Sequence, residues 1–108
     1  MYEPSRAIQS FHIAGVKYWD ACTVINELKV GDALSLVPER DNPHDSNAMA
    51  VYFGKAKLGY VPRDCNELLS VMSFYGHANA FELRVQQVDP KLNPWEQLRV
   101  GLYVVDAR

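Results

Sequence analysis

Long apolar runs are missing from this 108-residue chain: no stretch approaches the roughly 20 apolar residues of a membrane-spanning helix. Cysteine is scarce. Cys22 and Cys65 have neither a CxxC spacing nor a nearby His in ligand register, which leaves a zinc site without ligands and a disulfide without support. Both are read as reduced packing residues, free cysteine being among the most buried residue types. An excess of one charge is also lacking. Eleven Lys and Arg stand against thirteen Asp and Glu, a net charge of −2 with a pI near 5.8. Long-range capture of a polyanion is thereby excluded, and any contact with nucleic acid has to be local. Residues 1–6 show neither the basic start nor the apolar run of an export signal, so a cytoplasmic protein without membrane attachment is expected. Neither a P-loop nor a GxGxxG occurs, which argues against nucleotide hydrolysis. With no repeat, low-complexity tract or linker, residues 1–108 read as a single domain.

What is present is an ordinary globular composition, 48% hydrophobic and 22% charged. Apolar residues recur at alternate positions in five places, the mark of strands that bury one face, and a further short segment brings the expected strands to six. Phe11 and Ile13 form the first, Leu34 and Leu36 the second, and Met49, Val51 and Phe53 the third. Lys57-Leu58-Gly59-Tyr60-Val61 follows the turn-like Gly54-Lys55-Ala56, which predicts a hairpin. Phe81, Leu83 and Val85 make the fifth strand, and Leu98, Val100, Leu102 and Val104 the sixth. Helical spacing links Cys65, Leu68, Leu69, Met72 and Tyr75, with Pro62 placed for the first turn and Gly76 for the stop. Ala21, Val24, Ile25 and Leu28 share a second helical face, with Asp20 as its N-cap. Six short strands broken by one or two helices predict a small, strongly bent antiparallel sheet or barrel. Side chains fill the interior of barrels this small, so a ligand has to bind on a strand face or a loop rim.

Three segments carry polar chemistry. Arg40-Asp41-Asn42-Pro43-His44-Asp45-Ser46-Asn47-Ala48 reads as a rigid loop, because Asn and Asp bond nearby backbone N–H groups and Pro43 restricts its neighbour. As a calcium loop it fails: Ser46 stands where Gly is needed and Tyr52 where a bidentate Glu is needed. As a Ser-His-Asp site it also fails, since adjacent loop residues cannot align nucleophile, base and orienter. Gly15-Val16-Lys17-Tyr18-Trp19 and Leu58-Gly59-Tyr60-Val61-Pro62-Arg63 each place aromatics beside a cation at a strand end. That combination suits either rim packing or the stacking of single-stranded bases.

In this order, with Phe11-His12-Ile13-Ala14 before the first aromatic cluster and Gly31-Asp32-Ala33-Leu34-Ser35-Leu36 after it, these segments resemble the HIRAN domain. The most specific parts are Asn42-Pro43-His44-Asp45-Ser46-Asn47-Ala48 and Leu58-Gly59-Tyr60-Val61-Pro62-Arg63. The resemblance implies an OB-like six-stranded barrel, non-catalytic and without metal or cofactor, that binds single-stranded DNA at a free 3′ end. It also implies a role beside a translocase, helicase or nuclease in DNA repair or replication-fork processing. By position, Asp45 would accept the terminal 3′-hydroxyl, Tyr18 and Phe81 would stack on or wall the last bases, and Lys17 and Arg63 would hold phosphates. Asn42 and Tyr60 would line the same pocket. His44 stands where eukaryotic members usually carry Tyr, making one stacking surface smaller. The alternative reading is a protein-interaction adaptor, suggested by the acidic pI, that engages a partner by a strand edge or by the loop from Pro90 to Pro94.

Overall fold

The computed structural model describes residues 7–106; the segment read for an export signal, residues 1–6, lies outside the described residues. There are six strands: β1 (Ala7–His12), β2 (Ala33–Glu39), β3 (Ala48–Phe53), β4 (Ala56–Tyr60), β5 (Phe81–Val88) and β6 (Leu98–Val104); one-face burial is clearest in β5, whereas Ala48 to Val51 of β3 are buried on both faces. All pair antiparallel, in the order β1-β6-β5-β2-β3-β4. The sheet then bends round until its two ends meet. Just past β1, Ala14 bridges Tyr60 at the end of β4 through two backbone hydrogen bonds of 2.8 and 2.9 Å. Register shifts between Val51 and Tyr52 and between Val85 and Gln87 supply the local kinks that such curvature requires. The mainly β, OB-like barrel is filled by Ile13, Met49, Val51, Leu58, Leu83, Val85, Val100 and Leu102, each at most 2% exposed.

Two helices accompany the barrel, α1 (Ala21–Val24) and α2 (Glu67–Phe74). The face expected for α1 is found: Ala21, Ile25 and Leu28 are buried and Val24 is half-buried. The regular helix is only four residues long, and the Asp20 side chain makes no capping bond. The face expected for α2 is rotated. Leu69 and Ser70 point inward, while Leu68 is 56% and Tyr75 70% exposed. The first turn expected at Pro62 is a separate 3-10 turn (Arg63–Cys65), and Asn66 breaks it from α2. A turn of three residues per repeat resets the phase, so positions counted from Cys65 at 3.6 per turn miss the inward face. Cys22 is a second correction. Its side chain is exposed, because the inward face runs through Ala21, Val24, Ile25 and Leu28 and Cys22 lies off it; Cys65 is half-buried as a packing residue would be.

Gly59 makes closure possible. Its φ of +151° lies where L side chains rarely go, and a Cβ there would collide with the Ala14 carbonyl oxygen and sit 2.8 Å from Ile13 Cγ2. Gly59→Ala should therefore lower unfolding stability by about 1–3 kcal/mol, the usual cost of overpacking. Gly54→Ala is the control, since nothing lies within 4 Å of a Cβ there. Equal denaturation midpoints for the two variants would show that the seam does not need close approach.

Candidate functional site

The barrel seam carries a surface cleft of about 310 Å³ lined by Ala14, Trp19, Asn42, His44, Asp45, Ala48, Tyr60, Val61, Arg63 and Asn66. Its floor is the Ala14–Tyr60 bridge itself. One wall is aromatic: Trp19 meets Tyr60 edge to face, with centroids 5.9 Å apart. Behind them the Lys57 ammonium lies 3.7 Å from the Trp19 ring centroid, within cation–π range. It also bonds Glu39 Oε2 and the Tyr60 hydroxyl, both at 2.7 Å, and Tyr60 donates its proton to Glu39 Oε1 at 2.8 Å. Only 11% of the Lys57 side chain and 23% of the Glu39 side chain are exposed.

The opposite wall is the loop of residues 40–47, and its rigidity is built from side-chain acceptors. Asn42 Oδ1 accepts the backbone N–H groups of His44 (2.9 Å) and Asp45 (3.2 Å), while its amide donates to Glu39 Oε1 at 3.2 Å. Asp45 Oδ1 accepts the Asn47 N–H at 2.9 Å, and Asp45 Oδ2 accepts the amide of buried Asn66 at 2.8 Å. Arg63 donates to the His44 carbonyl at 2.6 Å. It stands 3.7 Å from Asp45, too far for a hydrogen bond but close enough for attraction through space. Ser70, also buried, donates to Asn47 at 3.2 Å, which ties the loop to α2.

These partners set the charge states. Hydrogen bonds from Asn47 and Asn66 lower the Asp45 carboxyl below the usual range, with burial opposing and Arg63 assisting. Burial pushes Glu39 up, yet the bonds from Lys57, Tyr60 and Asn42 outweigh it and leave Glu39 lowered. Burial likewise pushes Lys57 down, and its bonds to Glu39 and Tyr60 reverse that. The cluster is thus ionised at neutral pH, a fixed lattice of opposite charges beneath two rings.

Five of the residues singled out in the sequence, Asn42, His44, Asp45, Tyr60 and Arg63, line this one cleft. Tyr18 and Lys17 stand beside it in the 3-10 turn (Val16–Tyr18) that leads into Trp19. Tyr18 is 73% exposed, and the Lys17 ammonium lies 5.0 Å from its ring centroid. Phe81 is elsewhere: it lines a separate groove with Leu36, Leu69 and Leu83. Sequence reasoning missed Trp19 as a wall of the cleft, the Lys57–Glu39 pair beneath it, and Asn66 behind Asp45. Among the described residues, no group of three or more His, Cys, Asp or Glu could hold a metal ion.

The model of the HIRAN domain family matches residues 8–105. A crystal structure of a protein from Lactobacillus plantarum is similar to this chain with a TM-score of 0.76 at 27% identity, covering 94% of this chain and 95% of that one. The crystal structure of the HIRAN domain of human HLTF is similar in fold, with a TM-score of 0.61 at 15% identity, covering 91% of this chain and 76% of that one. No curated protein matches the sequence.

Two outcomes follow from the charge lattice. Lys57→Met keeps an apolar stem but removes the partner and counter-charge of Glu39 Oε2, while Tyr60 and Asn42 still bond Oε1, so unfolding stability should fall by about 1–3 kcal/mol, the range for a buried group left unpaired. Unchanged stability would show that Lys57 does not hold the wall. Folded Asp45 and Glu39 titrate below their unfolded values. Their contribution is present above the ordinary carboxylate range of about 4 and is lost as pH falls through the lower folded values. Asp45→Asn should flatten the acid side of the stability profile, and an unaltered acid side would remove Asp45 from that role.

Proposed function

This chain belongs to the HIRAN domain family, and we propose that it is a nucleic-acid-binding module whose seam cleft receives the free 3′ end of a single DNA strand. Family membership supports binding rather than catalysis. The observation that carries the finer reading is the convergence of two fixed aromatic rings, an exposed guanidinium and an ionised carboxylate on one small cleft. Its volume lies at the low end of the roughly 300–1,000 Å³ of ligand sites, which suits a terminal nucleotide better than a run of bases.

Each element has a part in that reading. Trp19 and Tyr60 offer ring surface to a base, a contact worth about 1–3 kcal/mol. Tyr18, exposed one residue before Trp19, takes the next base, and Lys17 and Arg63 hold the flanking phosphates. Asp45 discriminates. An ionised carboxylate has about four acceptor sites, and here Asn47 and Asn66 each occupy one. A terminal hydroxyl can donate to one that remains, whereas a 3′-phosphate or a continuing strand brings like charge to it. Asn42 keeps the loop in place, and His44 lends an exposed edge. The module serves, on this reading, as an accessory to a translocase, helicase or nuclease in DNA repair or fork processing. A specific observation favours a second reading, the protein-interaction adaptor: α2 leaves Leu68, Val71, Phe74 and Tyr75 exposed on one small helix.

Fluorescence anisotropy with 5′-labelled oligothymidylates ending in a 3′-hydroxyl or a 3′-phosphate tests the proposal. The hydroxyl form should bind about tenfold more tightly, the worth of one hydrogen bond to a charged group, and Asp45→Asn should narrow the gap. Equal affinities would remove Asp45 from end recognition; no binding at low salt would favour the adaptor. Contact with two or three phosphates predicts a log–log salt slope of about −1.4 to −2.1. Lys17→Ala or Arg63→Ala should each reduce it by about 0.7, while Tyr18→Ala should weaken binding with the slope intact.

A further inference from the structure

A second cleft opens on the outer face of β5 and β6, lined by Arg84, Gln86, Gln87, Arg99 and Tyr103 together with the turn at Val30 and Gly31. With a volume of about 630 Å³, it is roomier than the seam cleft. Its side chains are planar and polar, and one is held ready. Glu82 grips Arg84 through Nε at 3.0 Å and Nη2 at 3.2 Å, while the guanidinium lies 4.3 Å from the Tyr103 ring centroid. That clamp fixes the plane of Arg84 and leaves its other terminal nitrogen unbonded among the described residues. Gly101 clears the space between them, since a Cβ there would run into the Gln86 amide and the Tyr103 ring. Arg99 is exposed, and its side chain has no partner among the described residues.

The two clefts are joined by strand geometry. Along β1 and just beyond it, Phe11 and Ile13 point inward, so His12 and Ala14 point outward, and both are exposed. Ala14 lines the seam cleft. His12 lies two residues back along the same edge, about 6.6 Å away at 3.3 Å per residue. Directly across from His12 is Arg99, the first cation of the outer cleft. Side chains opposite each other on neighbouring strands stand about 5 Å apart. From the seam to Arg99 is therefore a path of about two nucleotide steps, past His12 and Ala14, neither of which is acidic.

We propose that this outer cleft is a second nucleic-acid contact: a single strand whose 3′ end sits at the seam crosses the outer face of β1 at His12 and lays upstream phosphates on Arg99 and Arg84. The proposal rests on the end-capture reading for its starting point. Tyr103, with Arg84 stacked on it, gives an upstream base a flat edge to pack beside, and the Gln86 and Gln87 amides give its polar atoms partners of either kind. Affinity then depends on strand length as well as on the end.

Comparing a 3′-hydroxyl dinucleotide, which spans a single step and ends short of Arg99 and Arg84, with an oligothymidylate of about twenty nucleotides separates the two contacts. Arg99→Ala should weaken the long oligonucleotide about threefold, as fits an exposed ion contact, and lower its salt slope by about 0.7. The short one should bind as before, with an unchanged melting temperature showing that the fold is intact. Arg84→Ala should act in the same direction on the long oligonucleotide. Equal effects on both lengths, or none on either, would overturn the outer cleft while the hydroxyl-over-phosphate preference still stood. A length-selective loss without that preference would retain the outer cleft as a strand-binding surface and overturn end capture.

Discussion

Two backbone hydrogen bonds between Ala14 and Tyr60 hold the rest of this protein in place. Without them β1 and β4 are open edges of a six-stranded sheet, each with unpaired N–H and C=O groups. With them the sheet becomes a barrel, Val61 is carried inward to donate to the Met49 carbonyl, and the Tyr60 side chain is left on the outer surface of the seam. The same closure brings the turn that ends in Trp19 against β4, where the Asp20 N–H bonds the Lys57 carbonyl. The cleft is thus a product of closing the barrel. Its aromatic wall, its floor and the approach to the polar loop all follow from one contact that only a glycine at position 59 permits.

Electrostatics explains how a chain of net charge −2 can offer a site to an anionic partner. Most of the acid near the cleft is already engaged. Glu39 is held by Lys57, Tyr60 and Asn42, and Asp45 by Asn47 and Asn66. The cations are divided by role. Lys57 is enclosed and acts on the rings, whereas Arg63 and Lys17 face solvent and remain available. Replacing a part-buried ion pair such as Lys57–Glu39 with apolar side chains is often close to neutral in stability, so the pair's main consequence is geometric: it fixes the angle between Trp19 and Tyr60.

The strands were legible because one-face burial imposes a period of two, and Phe81, Leu83 and Val85 obey it with Glu82 and Arg84 between, as Leu98, Val100 and Leu102 do with Arg99 and Gly101 between. The loop was legible for a different reason. Asn42 and Asp45 accept backbone N–H groups two or three residues further on, so the loop's rigidity is a local property of the sequence. What escaped was long-range. Lys57 meets Glu39 from 18 positions away, and Asn66 meets Asp45 from 21. Nothing local marks Lys57 as enclosed or Asn66 as anything but a helix cap. Phe81 shows the converse: its alternation placed it on β5 correctly, but alternation does not say which end of a barrel a strand residue faces. The rotated face of α2 has a similar origin, a 3-10 turn before Asn66 that propensity alone does not reveal.

A few well-placed contacts give selectivity more readily than affinity. In the proposed complex, stacking on one or two rings, two or three phosphate contacts and one hydroxyl bond would each add modestly, and ordering a flexible strand would oppose them. The loop and the lysine-backed wall reduce the protein's share of that cost, because their side chains are already fixed before a ligand arrives. The ligand's share remains. A module of this kind therefore binds weakly on its own and gains occupancy when a linked or bound partner keeps the strand nearby, since the end then meets the cleft at an effective concentration set by the tether. Weak binding also allows release, and under the proposed end capture the domain would have to let go of each strand that has not ended.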